Sequence, residues 1–254
     1  MAIISHMEQF TLYEFLGDEK GGASIQGICE YMQEAAGNHA SKLGLSIDRL
    51  YREKVAWVLV RLRLVPERMP ALHSRIVVET WPVGVDGLQY RRDFIIRDAK
   101  GNVLLRALSQ WVVVSLETRK VGRVPAFITE AGLGDCGAAT ALDDGKHRLP
   151  EVDAAFETCL FRARLSDVDR NQHVNNVRYM DWILESVPDA IRSGRLAELE
   201  LAFRAEAYKG DMVAVRTMPD DLGEGATSFG KVLCHSLVRQ SDNKELVRAK
   251  SVWA

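Results

Sequence analysis

Leu246-Val-Arg-Ala-Lys-Ser-Val-Trp253 repeats, in the frame Leu-x-Arg-Ala-x-Ser-x-Trp, the earlier stretch Leu104-Leu-Arg-Ala-Leu-Ser-Gln-Trp111. Upstream of each lies a second match, Val78-Glu-Thr-Trp-Pro82 and Val215-Arg-Thr-Met-Pro219, in the same order. Two ordered matches imply a duplicated unit. Two copies are too few for a solenoid, so the expectation is a fused pair of similar domains, a pseudo-dimer in one polypeptide.

Working outward in the first copy, Ser24 is placed to cap a helix in which Ile25, Ile28, Met32, Ala35, Ala36, His39 and Leu43 recur at helical spacing, with Gly44 as the stop. Strand-like runs follow at Trp57 to Val65, Arg75 to Trp81, Leu88 to Arg97 and Val103 to Leu116. From Val121 to about Glu151, Gly132, Gly134, Gly137, Pro125, Pro150 and Asp143-Asp144 interrupt any periodicity, and this stretch reads as a linker. The second copy then offers a strand near Phe156 to Leu165. Its helix stripe is Val174, Val177, Met180, Leu184 and Val187, ended near Pro188. Further strands are expected at Leu199 to Ala207, Met212 to Thr217 and Thr227 to Val238, with the last ending at Trp253. Each copy thus holds one long apolar-striped helix and about five strands. A curled antiparallel sheet wrapped around such a helix buries both patterns, which makes the fold class α+β. The expected domains are residues 1–120, a linker 121–155, and residues 156–254.

Composition narrows the function. With 47% hydrophobic and 27% charged residues the chain buries an ordinary core, and a formal net charge of −2 offers no electrostatic basis for nucleic-acid binding. Cys29, Cys136, Cys159 and Cys234 show neither Cys-x-x-Cys nor zinc-ligand spacing, so free thiols in a reducing compartment, no metal and no cofactor are expected. No long apolar run suggests a membrane span, and no targeting peptide is evident at the N-terminus, so a cytoplasmic location is expected.

The chemistry concentrates in Asp167-Val-Asp169-Arg-Asn171-Gln-His173-Val174-Asn175-Asn176-Val-Arg-Tyr179-Met-Asp-Trp-Ile-Leu-Glu-Ser186. In an extended turn, Asp169, Asn171 and His173 project to one side just ahead of a helix. The amides of Val174, Asn175 and Asn176, at the helix start, are candidate oxyanion donors. Glu206, in the apolar and basic run Leu201 to Lys209, is a fourth candidate. Carboxylate, imidazole and amide together suffice to activate a water molecule. The structural alternatives are a cap for Asp167, Asn175 or Asn176 and an ion pair between Glu206 and Arg204. His39 is expected to be a satisfied core histidine, and Trp111 and Trp253 core anchors.

These residues resemble the signature of the acyl-acyl-carrier-protein thioesterases, the plant plastid type and its bacterial relatives, and Gln33 to Ala40, Glu79-Thr-Trp81, Arg91-Arg-Asp93 and Trp111 to Arg119 resemble the first half of that family. The resemblance implies two tandem hotdog domains, with Asp169, Asn171, His173 and Glu206 as the catalytic set. The implied partner is acyl carrier protein bearing a 4'-phosphopantetheine-linked acyl chain, and the implied reaction is release of free fatty acid. Many plant members carry Cys directly after the glutamate; this chain has Ala207, so a thiol cannot act there. Attack by water is favoured, with attack by a carboxylate through an anhydride left open. The first copy's turn, Gly17 to Ala23, lacks Asn-x-His. Its interior, Ile28, Met32, Val58, Val60, Phe94 and Ile96, is the expected acyl pocket. Arg170, Arg178, Arg204 and Lys209 are expected to form a basic patch for the acidic carrier. An acyl-CoA thioesterase and a non-catalytic acyl-binding protein are the alternatives, and monomer and homodimer both suit the pseudo-dimer.

Overall fold

A computed structural model describes residues 5–122, 124–133, 140–143, 148–152, 157–220 and 231–254. Cys136, Phe156, residues 227–230 and much of the expected linker lie outside them. The chain divides into two compact units, Met1–Leu62 with Pro66–Asp144, and Arg63–Val65 with Gly145–Ala254.

The first unit holds β1 (His6–Thr11), α1 (Ile25–Lys42), α2 (Ile47–Arg52), β2 (Val55–Pro66), β3 (Arg75–Asp86), β4 (Gln89–Asp98), β5 (Val103–Ser115) and α3 (Ala126–Thr129). Its strands are ordered β1-β3-β4-β5-β2. The ladders β1–β3, β3–β4 and β4–β5 are antiparallel. Ser24 Oγ accepts the Gly27 N–H at 3.1 Å to start α1, as the spacing anticipates. Gly44, at φ +75°, turns the chain out of the helix end, a conformation that favours glycine. The α1 stripe Ile28, Met32, Ala35 and His39 is buried, and the helix packs on β1 and β3. His39 is a core histidine: Arg92 Nη1 lies 3.1 Å from its Nδ1, and its ring stacks on His6 with 5.6 Å between centroids.

β1 and α2 were not expected from the sequence pattern. The start of the expected linker is also corrected: residues 124–133 contain α3, and Ile128 and Leu133 are buried with Leu45, Leu50, Val55, Tyr90 and Val113. Two buried apolar side chains, Ile128 on the short helix and Leu133 beyond its end, suffice to fasten this segment to the unit.

The second unit holds β6 (Glu157–Arg162), α4 (Asn176–Glu185), α5 (Asp189–Arg192), β7 (Leu196–Phe203), β8 (Met212–Pro219), β9 (Lys231–Arg239) and β10 (Lys244–Trp253). Its order is β6-β8-β9-β10-β7. Numbering each unit's strands from one to five, both orders read one-three-four-five-two, so the duplication seen in the sequence is a duplication of topology. The repeated Ser-x-Trp has a physical cause in each copy. The indole N–H of Trp111 donates to Ser109 Oγ at 2.8 Å, and that of Trp253 to Ser251 Oγ at 2.9 Å, satisfying a polar atom that burial would otherwise strand. Trp253 is buried as a core anchor, whereas Trp111 is half-buried. Pro188 does not terminate α4, which stops at Glu185; it precedes the first residue of α5.

No helix among the described residues is long and apolar enough to cross a membrane.

Candidate active site

Every described group of the motif stretch, and Glu206 with it, belongs to the second unit. After β6, a single 3-10 turn (Leu165–Asp167) leads into a hairpin-like loop closed by an antiparallel bridge between Val168 and Val174. The Asp169 N–H donates to the His173 carbonyl and the Gln172 N–H to the Asp169 carbonyl, both at 3.0 Å. The loop is therefore tight rather than extended, which corrects the alternate-residue expectation. Gln172, at φ +67°, makes the reversal and carries the local strain. Asp169 Oδ1 accepts the Asn171 N–H at 2.8 Å, and its Oδ2 lies 3.5 Å from Asn171 Nδ2. Asp169 thus braces Asn171 on the loop that delivers His173.

His173 Nε2 lies 3.2 Å from Glu206 Oε2. A carboxylate acceptor at Nε2 favours, in a neutral imidazole, the tautomer with its proton on that nitrogen. Glu206 is not on a strand as expected. β7 ends at Phe203, where the Arg204 and Ala205 N–H groups both donate to the Leu246 carbonyl, at 2.8 and 3.2 Å, and the chain leaves the sheet before Glu206. Arg204 is not its partner either; it pairs with Glu245 at 3.1 Å.

The loop carrying Glu206 is held by the peptide that follows it. The buried Ala207 N–H donates to the Tyr179 hydroxyl at 2.8 Å, and the Ala207 carbonyl accepts the Val174 N–H at 2.9 Å. Burial pushes the Tyr179 phenol well above its ordinary pKa, so the hydroxyl stays protonated. Arg239 Nη1 donates to the Glu206 carbonyl at 3.0 Å. The Ala207 methyl is fully buried, at the place where a Cys would stand in the plant pattern.

Two of the expected oxyanion donors are corrected. The Val174 N–H is engaged by Ala207, and the Asn175 N–H donates to the Asp167 carbonyl at 2.8 Å. The Asn175 side chain is the helix cap, its Oδ1 accepting the Val177 N–H at 3.1 Å. The Asn176 N–H, at the first helical position, donates to no group among the described residues. Asp167 is structural, its Oδ2 accepting the Arg164 N–H at 2.7 Å. Of the expected basic patch, Arg204 is paired as above and Arg178 pairs with Asp181 at 2.9 Å; Arg170 and Lys209 sit on exposed turns. Tyr179, Tyr208 and Arg239 were missed as site residues. Tyr179 stood within the quoted motif but off the apolar stripe Val174, Val177, Met180, Leu184 and Val187, so the sequence pattern gave it no role. No group of three or more His, Cys, Asp and Glu among the described residues is arranged to hold a metal.

In the first unit, Ile28, Met32, Phe94 and Ile96 are buried, whereas Val58 and Val60 are half-buried.

A family profile for the acyl-ACP thioesterase N-terminal domain matches residues 4–131, and one for the C-terminal domain matches residues 151–254. The chain belongs to the acyl-ACP thioesterase family. Among this family's members, the chloroplastic acyl-[acyl-carrier-protein] hydrolase FATB2 of Cuphea viscosissima is 32% identical over 245 residues, which is 91% of this chain and 58% of the relative. The chloroplastic palmitoyl-acyl carrier protein thioesterase of Arabidopsis thaliana is 32% identical, over 95% of this chain and 61% of its own. This chain therefore spans about three fifths of the length of these acyl-ACP thioesterases. Two solved structures are similar. The 12:0-ACP thioesterase of Umbellularia californica has a TM-score of 0.86 at 26% identity, covering 98% of this chain and 94% of its own. An acyl-ACP thioesterase of Bacteroides thetaiotaomicron has a TM-score of 0.83 at 25% identity, covering 98% of both chains. The fold is the tandem hotdog α+β architecture of that family, as the sequence resemblance implied.

Proposed function

We propose that this chain hydrolyses fatty acyl-acyl carrier protein thioesters, releasing free fatty acid and ending chain elongation. The observation that carries the reading is the 3.2 Å pairing of His173 Nε2 with Glu206 Oε2 at the head of α4, beside the Asp169–Asn171 brace, in a chain of the acyl-ACP thioesterase family. Glu206 orients the imidazole, and the His173 Nδ1 lone pair takes the proton of a water molecule as it attacks the thioester carbonyl. Asn171 holds the water or the carbonyl, Asp169 fixes Asn171, and the Asn176 N–H faces the developing oxyanion with the partial positive charge of the helix start. Cys29, Cys159 and Cys234 form no disulfide among the described residues, which suits a reducing compartment such as the cytoplasm.

The deciding experiment measures thiol release and product acids from matched panels of acyl-ACP and acyl-CoA esters of medium to long chain. Cleavage of acyl-ACP at least tenfold faster in kcat/KM is the expected result. Preference for the CoA esters would transfer the activity to the alternative carrier, and no release from either panel would defeat the enzyme reading.

We place the acyl chain in the interior of the first unit, where Met32 is buried on the α1 stripe. Met32→Trp is expected to shift the product distribution toward shorter acids while cleavage continues, at a stability cost of about 1–3 kcal/mol for overpacking. An unchanged distribution in a folded variant counts against this placement.

A further inference from the structure

One side chain touches both members of the His173–Glu206 pair and has no part in the hydrolytic scheme above. Tyr208 donates its hydroxyl to Glu206 Oε2 at 3.1 Å, the same oxygen that lies 3.2 Å from His173 Nε2. Its ring also stands edge-on to the imidazole, with 5.2 Å between centroids and 75° between planes. A tyrosine 42% exposed has water within reach for its hydroxyl, yet this one is turned back onto the carboxylate. Its backbone is held to that end, since the Tyr208 N–H donates to Asp211 Oδ2 at 2.9 Å and the preceding Ala207 peptide is clamped between Tyr179 and Val174.

We propose that Tyr208 is a positioning residue for the catalytic pair: its hydroxyl fixes the Glu206 carboxylate and moderates the hold of that carboxylate on His173. This rests on the reading of His173 and Glu206 as the hydrolytic pair. An oxygen that accepts two donors divides its charge between them. Without the phenol, Oε2 turns its full charge on the imidazole, which favours the imidazolium and raises the histidine's pKa. A base that is already protonated at neutral pH cannot take a proton from water. The carboxylate also gains rotamer freedom, and the orientation of the imidazole loosens with it. The other charged groups around the pair are unchanged by loss of the hydroxyl. They are Asp169 on the hairpin loop, Asp211 behind the Tyr208 N–H, Arg239 on β9, which pairs with Asp211 and Asp242, and the flanking Arg170 and Lys209.

The test is Tyr208→Phe, which keeps the ring against His173 and removes only the donor. The His173 imidazole is titrated by NMR in wild type and variant, its resonance assigned by comparison with His173→Asn. The expected result is a rise of the His173 midpoint by about half a pH unit, the size of one modest hydrogen bond. With acyl-ACP, kcat is expected to fall roughly tenfold with KM little changed, and the acid limb of the kcat/KM profile to move up by the same half unit. In a Glu206→Gln background the same substitution is expected to have almost no further effect, because its target carboxylate is gone. An unmoved His173 midpoint overturns the proposal, as does an equal loss of kcat with and without Glu206. A shifted midpoint in a protein that cleaves no thioester would uphold the contact of Tyr208 with the pair and defeat the hydrolytic reading instead.

Discussion

His173→Ala is expected to lower kcat/KM for acyl-ACP by about a thousandfold, within the range that a positioned general base contributes. The loss corresponds to about 4 kcal/mol of transition-state stabilisation. KM should change little, because in the proposed scheme His173 meets the attacking water and not the acyl chain or the carrier. The size of the effect follows from the geometry. The imidazole is mostly buried and delivered by a loop closed on both sides, with Asp169 N–H bonded to the His173 carbonyl and the Val174 N–H bonded to Ala207. Its Nε2 is turned to Glu206, and in the proposed scheme Nδ1 serves as the base. Alanine removes that lone pair and leaves Glu206 held by Tyr208 and by its own backbone, so no neighbouring group moves into the same place. The measurement is thiol release under limiting acyl-ACP, with a urea midpoint to verify folding. A variant retaining more than a tenth of wild-type kcat/KM would remove His173 from the role of base. The same experiment separates the two routes of attack. A carboxylate nucleophile needs no proton abstracted before the first step, so a burst of thiol equal to the enzyme concentration in His173→Ala would point to an anhydride path, whereas no burst supports water.

The fold was legible because its signals are local and repeated. The Ser24 cap, the Ile28-Met32-Ala35-His39 stripe and the alternation of β2 each lie within one element, and the Leu-x-Arg-Ala-x-Ser-x-Trp frame recurs in β5 and β10. β1 escaped because His6 to Thr11 pairs only with β3 and mixes polar with apolar residues, and α2 because six residues carry little more than one turn of pattern. The site was half legible. The motif marked Asp169, Asn171 and His173, but their arrangement depends on a positive φ at Gln172, which no alternation rule anticipates. Glu206 looked like a strand residue because Leu201-Ala-Phe alternates and the turn residues Lys209-Gly210 come only after it. What takes it off the sheet is a doubled hydrogen bond to Leu246, more than 40 residues away. The Val174 amide failed as an oxyanion donor for the same reason. Val174 is engaged by Ala207, a partner distant in sequence that no local reading of the helix start supplies.

His235→Leu is expected to destabilise the protein by about 3 kcal/mol at neutral pH and to remove part of its acid sensitivity. His235 is fully buried in β9, in a chain of hydrogen bonds that runs from Ser186 Oγ to Thr217 Oγ1 (3.1 Å), to His235 Nδ1 (2.9 Å), and from His235 Nε2 to Ser251 Oγ (2.9 Å). Ser251 also accepts the Trp253 indole, so the repeated Ser-x-Trp is one end of this chain. Leucine fills similar volume but leaves the Thr217 and Ser251 hydroxyls each short of a partner, at about 1–3 kcal/mol per buried group. The acid sensitivity has a definite sign. Burial holds the His235 imidazole down from 6.5 to a pKa of about 3. Below pH 6.5 the unfolded chain therefore takes a proton that the folded chain refuses. Stability from this group is fully present above pH 6.5 and falls as the pH is lowered from 6.5 toward 3. Between pH 6.5 and 5, a depression of that size costs wild type about 2 kcal/mol at roughly 1.4 kcal/mol per unit. In His235→Leu that component is absent, while the carboxylates that titrate at lower pH contribute equally to both proteins. Urea unfolding of the two proteins at pH 7.5 and pH 5 measures the difference directly. The gap between them should be about 3 kcal/mol at the higher pH and about 1 kcal/mol at the lower. A gap that is the same at both values would mean that His235 is charged in the folded protein, which a neutral imidazole donating from one nitrogen and accepting at the other, between two hydroxyls, does not require.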